Sequence, residues 1–122
     1  MKCNQQLTPI FTSLDHVGKV ARVKNQYPNV VAGGFVFHFT PYKLTDDFSQ
    51  FLEYCHSSPL YYNQIKKITN LSGQALYNIP KSKLMKLLLS LPNKDEQVRI
   101  NSQVEQYMSK ISLLEKQFGF VR

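Results

Sequence analysis

The chain has 122 residues, 43% of them hydrophobic, and 15 Lys and Arg against 8 Asp and Glu give a formal net charge of +7. That length supports one domain with a modest core, and the apolar share argues against general disorder. The positive balance favours an anionic partner, nucleic acid above all, while no run approaches the ~20 apolar residues of a bilayer span.

Residues 19–23 alternate after Gly18 and predict a strand. Val30-Val31 and residues 35–39 flank Gly33-Gly34, which predicts strand, tight turn or bulge, strand, with the glycines serving close backbone packing. Residues 35–39 are almost continuously apolar, so that strand is expected to be buried on both faces. Thr45-Asp46-Asp47 opens a helix with a capping hydroxyl and two acids in its first turn. Phe48, Phe51, Leu52 and Cys55 share one face of it, and Pro59 ends or kinks it. Residues 61–68 predict a second helix with Tyr61, Ile65 and Ile68 on one side. A polar loop over 69–74 follows, then a short strand at Ile79 and a brief helical turn from Pro80 to about Leu84. The apolar run 85–91 before Pro92 predicts a buried strand.

The C-terminal segment carries the strongest pattern. Ile100, Val104, Tyr107, Ile111, Leu114 and Phe118 are spaced four, three, four, three, four. That is a heptad seam, and polar residues fill the positions between. Asn93 can cap the helix, and Glu96 completes a pair resembling a capping box. Roughly 25 helical residues rise ~37 Å, more than a small domain covers. The seam therefore predicts an arm that pairs with another helix.

Catalytic constellations are weak. Cys55 and His56 are neighbours, and on a helix adjacent side chains point about 100° apart, so they do not form a nucleophile and base. The phase of Cys55 fits a core thiol. Zinc needs about four ligands at recognisable spacing, and Cys3, His16, His38 and His56 are scattered. Helix capping explains Asp46-Asp47. Two distant cysteines make no disulfide framework, and the start, Met1-Lys2-Cys3-Asn4-Gln5-Gln6, has no apolar core of a secretory signal. A cytoplasmic protein without membrane contact, metal or cofactor is expected.

The basic residues are better candidates. Lys19, Arg22 and Lys24 surround the first predicted strand, Lys66 and Lys67 precede the 69–74 loop, and Lys81, Lys83 and Lys86 follow it. Such residues can hold phosphates while polar loop groups read base edges.

Gly73-Gln74-Ala75, Asn78-Ile79-Pro80, Leu84, Leu87, Leu91-Pro92, Glu96-Gln97 and Ile100 resemble the end of a target recognition domain in a type I restriction-modification specificity subunit. There a glycine loop leads to a short Ile/Leu segment, then Leu-Pro, a Glu-Gln pair, Ile and a long helix. More loosely, residues 17–21 and 30–39 resemble that domain's glycine turn and following strand, and 48–58 its next helix. The resemblance implies a non-catalytic chain that recognises double-stranded DNA and directs methyltransferase and restriction subunits. S-adenosylmethionine and ATP would bind to those partners. With that function, the basic residues Lys19, Arg22, Lys24, Lys66, Lys67, Lys81 and Lys83 are the expected phosphate contacts, and Thr69, Asn70, Ser72, Gly73 and Gln74 the expected reader, since such polar side chains can hydrogen-bond to bases. Family members usually carry two recognition domains and two long helices paired antiparallel, whereas this chain has one of each. The match begins near residues 7–14, so the first strands of the domain are expected to be missing. A half-subunit, a split-gene remnant and a fragment all fit, and an inactive remnant or an interaction adaptor acting through the helix are the rival functions. The expected architecture is α/β or α+β. A small twisted mixed sheet with short helices fills residues 1–92, and a long coiled-coil helix over 93–122 makes a homodimer or pairs with another specificity half.

Overall fold

The computed structural model describes residues 1–71 and 76–119. Six short strands and four helices follow in the order β1 (Gln6–Pro9), β2 (Phe11–Thr12), β3 (Ala21–Arg22), β4 (Val36–Phe39), α1 (Asp46–His56), α2 (Pro59–Ile68), β5 (Asn70–Leu71), β6 (Tyr77–Asn78), α3 (Lys81–Leu84) and α4 (Lys94–Gln117). The class is α+β, with short helices and a long C-terminal helix. Instead of one mixed sheet there are two three-stranded sheets, ordered β3-β1-β4 and β2-β6-β5, antiparallel throughout. Ile10 joins them: its N–H donates to Phe35 O and its carbonyl accepts from Ile79 N.

The centre of the first sheet is polar. Gln6 and Thr8 of β1 are fully buried. Gln6 Nε2 donates to Ser49 O at 2.9 Å and Gln6 Oε1 meets His56 Nδ1, while Ser49 Oγ donates to Asn4 O at 2.8 Å. This network fixes the N-terminal segment to α1. The apolar core lies beside it and gathers Val17, Tyr61, Ile65, Ile79 and Leu84, with Phe37, Phe39 and Leu87 packed against them. Gly18 is required here. Its φ is +77°, and a Cβ would stand 2.5 Å from Ile65 Cγ2.

Local chemistry sets the helix starts. Thr45 Oγ1 accepts from Phe48 N, Ser58 Oγ from Tyr61 N, and Asn93 Oδ1 from Glu96 N. Pro59 opens α2 at its first position. The Glu96 carboxylate does not return to Asn93. It pairs with Arg99 one turn on, where a guanidinium offers several donors.

Four further sequence expectations are corrected. Residues 85–91 form no strand: Leu84 ends α3 and the chain continues irregularly, with Leu88 N and O satisfied by the Gln64 side-chain amide at 3.0 Å each. Val30-Val31 form no strand either, and Val31 is exposed. β4 is not buried on both faces, because one face turns to solvent and Phe35 before it is exposed. A Cβ at Gly33 or Gly34 would meet nothing within 4 Å, so close packing does not explain them; they lie in a turn in which Val36 N donates to Gly33 O.

Candidate nucleic-acid interface

α1 lies along the first half of α4. Asn101, 4% exposed, donates from Nδ2 to Asp47 O at 2.8 Å, and Gln50 Nε2 donates to Glu105 Oε1 at 2.7 Å. The seam therefore divides in two. Ile100 and Val104 are half-buried against the globular part, whereas Tyr107, Ile111, Leu114 and Phe118 project beyond it and are exposed. From Tyr107 to the end of α4 the arm reaches roughly 16 Å.

Every lysine is exposed. The ion pairs between described residues are Arg22 with Glu53 and Arg99 with Glu96, so no lysine enters one. The charges are segregated along the chain. Asp46, Asp47 and Glu53 lie on α1, and Asp95, Glu96, Glu105 and Glu115 on α4. From Tyr54 to Lys94 there is no acid at all, and this stretch carries Lys66, Lys67, Lys81, Lys83, Lys86 and Lys94. The sequence reading did not single out Lys94 or this acid-free run, although the spacing from Glu53 to Asp95 was there to be counted.

The expected contacts do not form one cluster. Arg22 braces β3 against α1: its Nε donates to Glu53 Oε2 at 2.7 Å and its Nη1 to Asn4 Oδ1 at 3.2 Å. A guanidinium held this way has fewer donors left for a phosphate than the lysines do. Lys24 is exposed just beyond β3. Lys66 and Lys67 diverge, as neighbours on a helix must. Lys66 lies over the Tyr62 ring, 4.9 Å from its centroid. Lys67 borders a groove of about 650 Å³ with Leu88, Ile100 and Val104. Lys81 lies over Phe37 at 5.4 Å, with Lys83 exposed on the same short helix. Of the expected reader residues, Thr69 donates its hydroxyl back to Ile65 O at 2.6 Å and Asn70 is exposed in β5. Ser72, Gly73 and Gln74 lie outside the described residues.

Two cavities share Tyr62 as a wall. One, of about 200 Å³, is lined by Leu14, Val17, Ile65, Lys66 and Tyr77. The other, of about 290 Å³, lies between Gly18-Lys19-Val20 and the α1–α2 junction, with His56, Ser57 and Tyr61 on its walls. His56 stacks on Phe39 and meets the edge of Tyr61. Burial lowers its pKa to about 4, so the imidazole is neutral near pH 7. Gln6 Nε2 is committed to Ser49 O, so Gln6 Oε1 is an acceptor and His56 Nδ1 carries the proton. The Tyr61 hydroxyl is buried and without a partner among the described residues, and burial raises its pKa to about 12. Sequence reasoning assigned Tyr61 to the core and left Tyr62 without a role.

Cys55 is half-buried, and burial raises its pKa away from the thiolate form. His56 points its Nδ1 at Gln6, so the two neighbours do not act together. Among the described residues no three His, Cys, Asp or Glu side chains gather as a metal site, and no helix is long and apolar enough to cross a membrane. No protein-family model, curated protein or solved structure matches the chain.

Proposed function

We propose that this chain is a non-catalytic module that binds duplex DNA and acts as a specificity component of the type I restriction-modification kind. The acid-free run from Tyr54 to Lys94 carries the reading, because its lysines are exposed and none is spent in an internal ion pair. Duplex DNA offers a phosphate about every 1.7 Å of axis, and each lysine that neutralises one releases a counterion. Lys19, Lys24, Lys66, Lys67, Lys81 and Lys83 supply this sequence-independent hold. The segment 69–74 reads base edges between them. Methyl transfer and cleavage belong to partner subunits, which bring S-adenosylmethionine and ATP, and the protein works in the cytoplasm.

The outer half of α4 supplies the second part of the reading. Its exposed seam of Tyr107, Ile111, Leu114 and Phe118 pairs with another helix, in a second copy or in another specificity half. The same seam favours the rival reading, a protein-interaction adaptor for which DNA is irrelevant.

Charge neutralisation separates the two. Replacing Lys81 and Lys83 together with glutamine is expected to weaken binding to every duplex sequence and to reduce the slope of log affinity against log salt by about 2. The same change at Lys110 and Lys116, on the arm, is expected to leave the slope nearly unchanged. Equal effects from the two pairs would refute a binding face on the globular part.

A further inference from the structure

The cavity between Gly18-Lys19-Val20 and the α1–α2 junction has the parts of a nucleotide site. One wall is the Tyr62 ring, about half exposed and backed by Lys66. Gly18 contributes backbone alone, because its positive φ and the nearness of Ile65 leave no room for a side chain. Lys19, exposed and in no ion pair, stands at the cavity's rim. Tyr61 and His56 complete the lining, and among the described residues each carries a polar group without a partner of its own. The Tyr61 hydroxyl is a buried donor with no partner among the described residues. The His56 ring has Nδ1–H committed to Gln6, which leaves Nε2 as an acceptor. Ser57 adds nothing, since its hydroxyl already donates to Glu53 O at 3.0 Å.

An accessible aromatic face beside an uncommitted lysine is what a nucleobase with its own phosphate requires. The face stacks and the cation takes the charge. A paired base keeps its edge and both faces engaged inside the duplex, so only an unstacked one can enter.

We infer that this cavity receives a single unpaired base of a bound DNA strand, stacked on Tyr62 with its phosphate on Lys19. The inference rests on the DNA-binding reading above and names a site within it.

Fluorescence anisotropy with the full chain tests it, using a fully paired duplex and the same duplex carrying one unpaired thymidine. The unpaired form is expected to bind about tenfold tighter, the range that stacking of one base supplies. Tyr62→Ala is expected to abolish this preference while changing affinity for the paired duplex less than about twofold; Tyr62→Phe keeps the ring and the preference. Equal affinity of the native chain for both duplexes overturns the site and leaves DNA binding standing. A preference that survives in Tyr62→Ala overturns the assignment to this cavity. Displacement of the unpaired duplex by micromolar thymidine monophosphate overturns the polymer as occupant in favour of a free nucleotide. Failure to bind either duplex overturns the site together with the reading it rests on.

Discussion

Acidification should destabilise this protein through one residue. His56 is half-buried between Phe39 and Tyr61, and its Nδ1–H is held by the Gln6 amide oxygen. Its folded pKa is lowered to about 4 from an ordinary 6.5, because burial penalises the imidazolium. The folded state therefore resists a proton that the unfolded chain accepts. Stability is complete above pH 6.5 and falls as the pH drops from there towards 4; below that both states are protonated and this contribution stops changing. The shift corresponds to about 3 kcal/mol in all, of which about 2 kcal/mol is gone by pH 5. For a domain whose total stability is about 5–15 kcal/mol this is a large share. Urea unfolding at pH 7 and pH 5 measures it, and His56→Gln removes the titration while His16 and His38 remain. The variant is expected to lose about 2 kcal/mol less than the native chain between the two pH values. Equal losses in both proteins, or a His56 pKa near its ordinary value by NMR, would refute the reasoning.

Three further outcomes follow from particular contacts. Gly18→Ala sets a Cβ 2.5 Å from Ile65 Cγ2 at a φ of +77° and is expected to cost about 2–4 kcal/mol by urea unfolding; a loss below about 0.5 kcal/mol would contradict the packing described for Gly18. Asn101→Ala leaves the Asp47 carbonyl without its donor at the α1–α4 contact and is expected to cost about 1–2 kcal/mol in the same assay, with an unchanged midpoint counting against that contact. Ile111→Asp, on the exposed arm, is expected to leave the unfolding midpoint within experimental error while abolishing self-association in sedimentation equilibrium. A native chain that is monomeric at tens of micromolar would rule out the homodimer and leave a different partner chain to cover the seam.

Features set by neighbouring residues were legible in the sequence. Thr45 and Asn93 cap where a hydroxyl and an amide oxygen reach a backbone N–H three residues on, and Pro80 precedes the short α3. Features set by distant partners were not. β1 escaped because its inward residues are Gln6 and Thr8, so apolar alternation carries no signal; Ser49 and His56, more than forty positions away, satisfy Gln6. The run 85–91 is apolar enough for a strand, yet Gln64 satisfies the Leu88 backbone from 24 residues away and no neighbouring strand is required. Arg22 has the look of a phosphate contact until Glu53 is placed beside it. The heptad seam was plain, but only the fold could divide it into a half held by its own domain and a half that projects. The Tyr62 site had no sequence signature, because its walls come from the Gly18 turn and from helices forty residues later, brought together by the core around Ile65.

The most direct test of the central claim is the affinity of the full chain for a duplex of random sequence, measured across a series of salt concentrations. If about six lysines of the globular part each neutralise a phosphate, log affinity falls against log salt with a slope of about −5. A slope near zero, or no binding at low salt, would contradict a DNA-binding function for this fold.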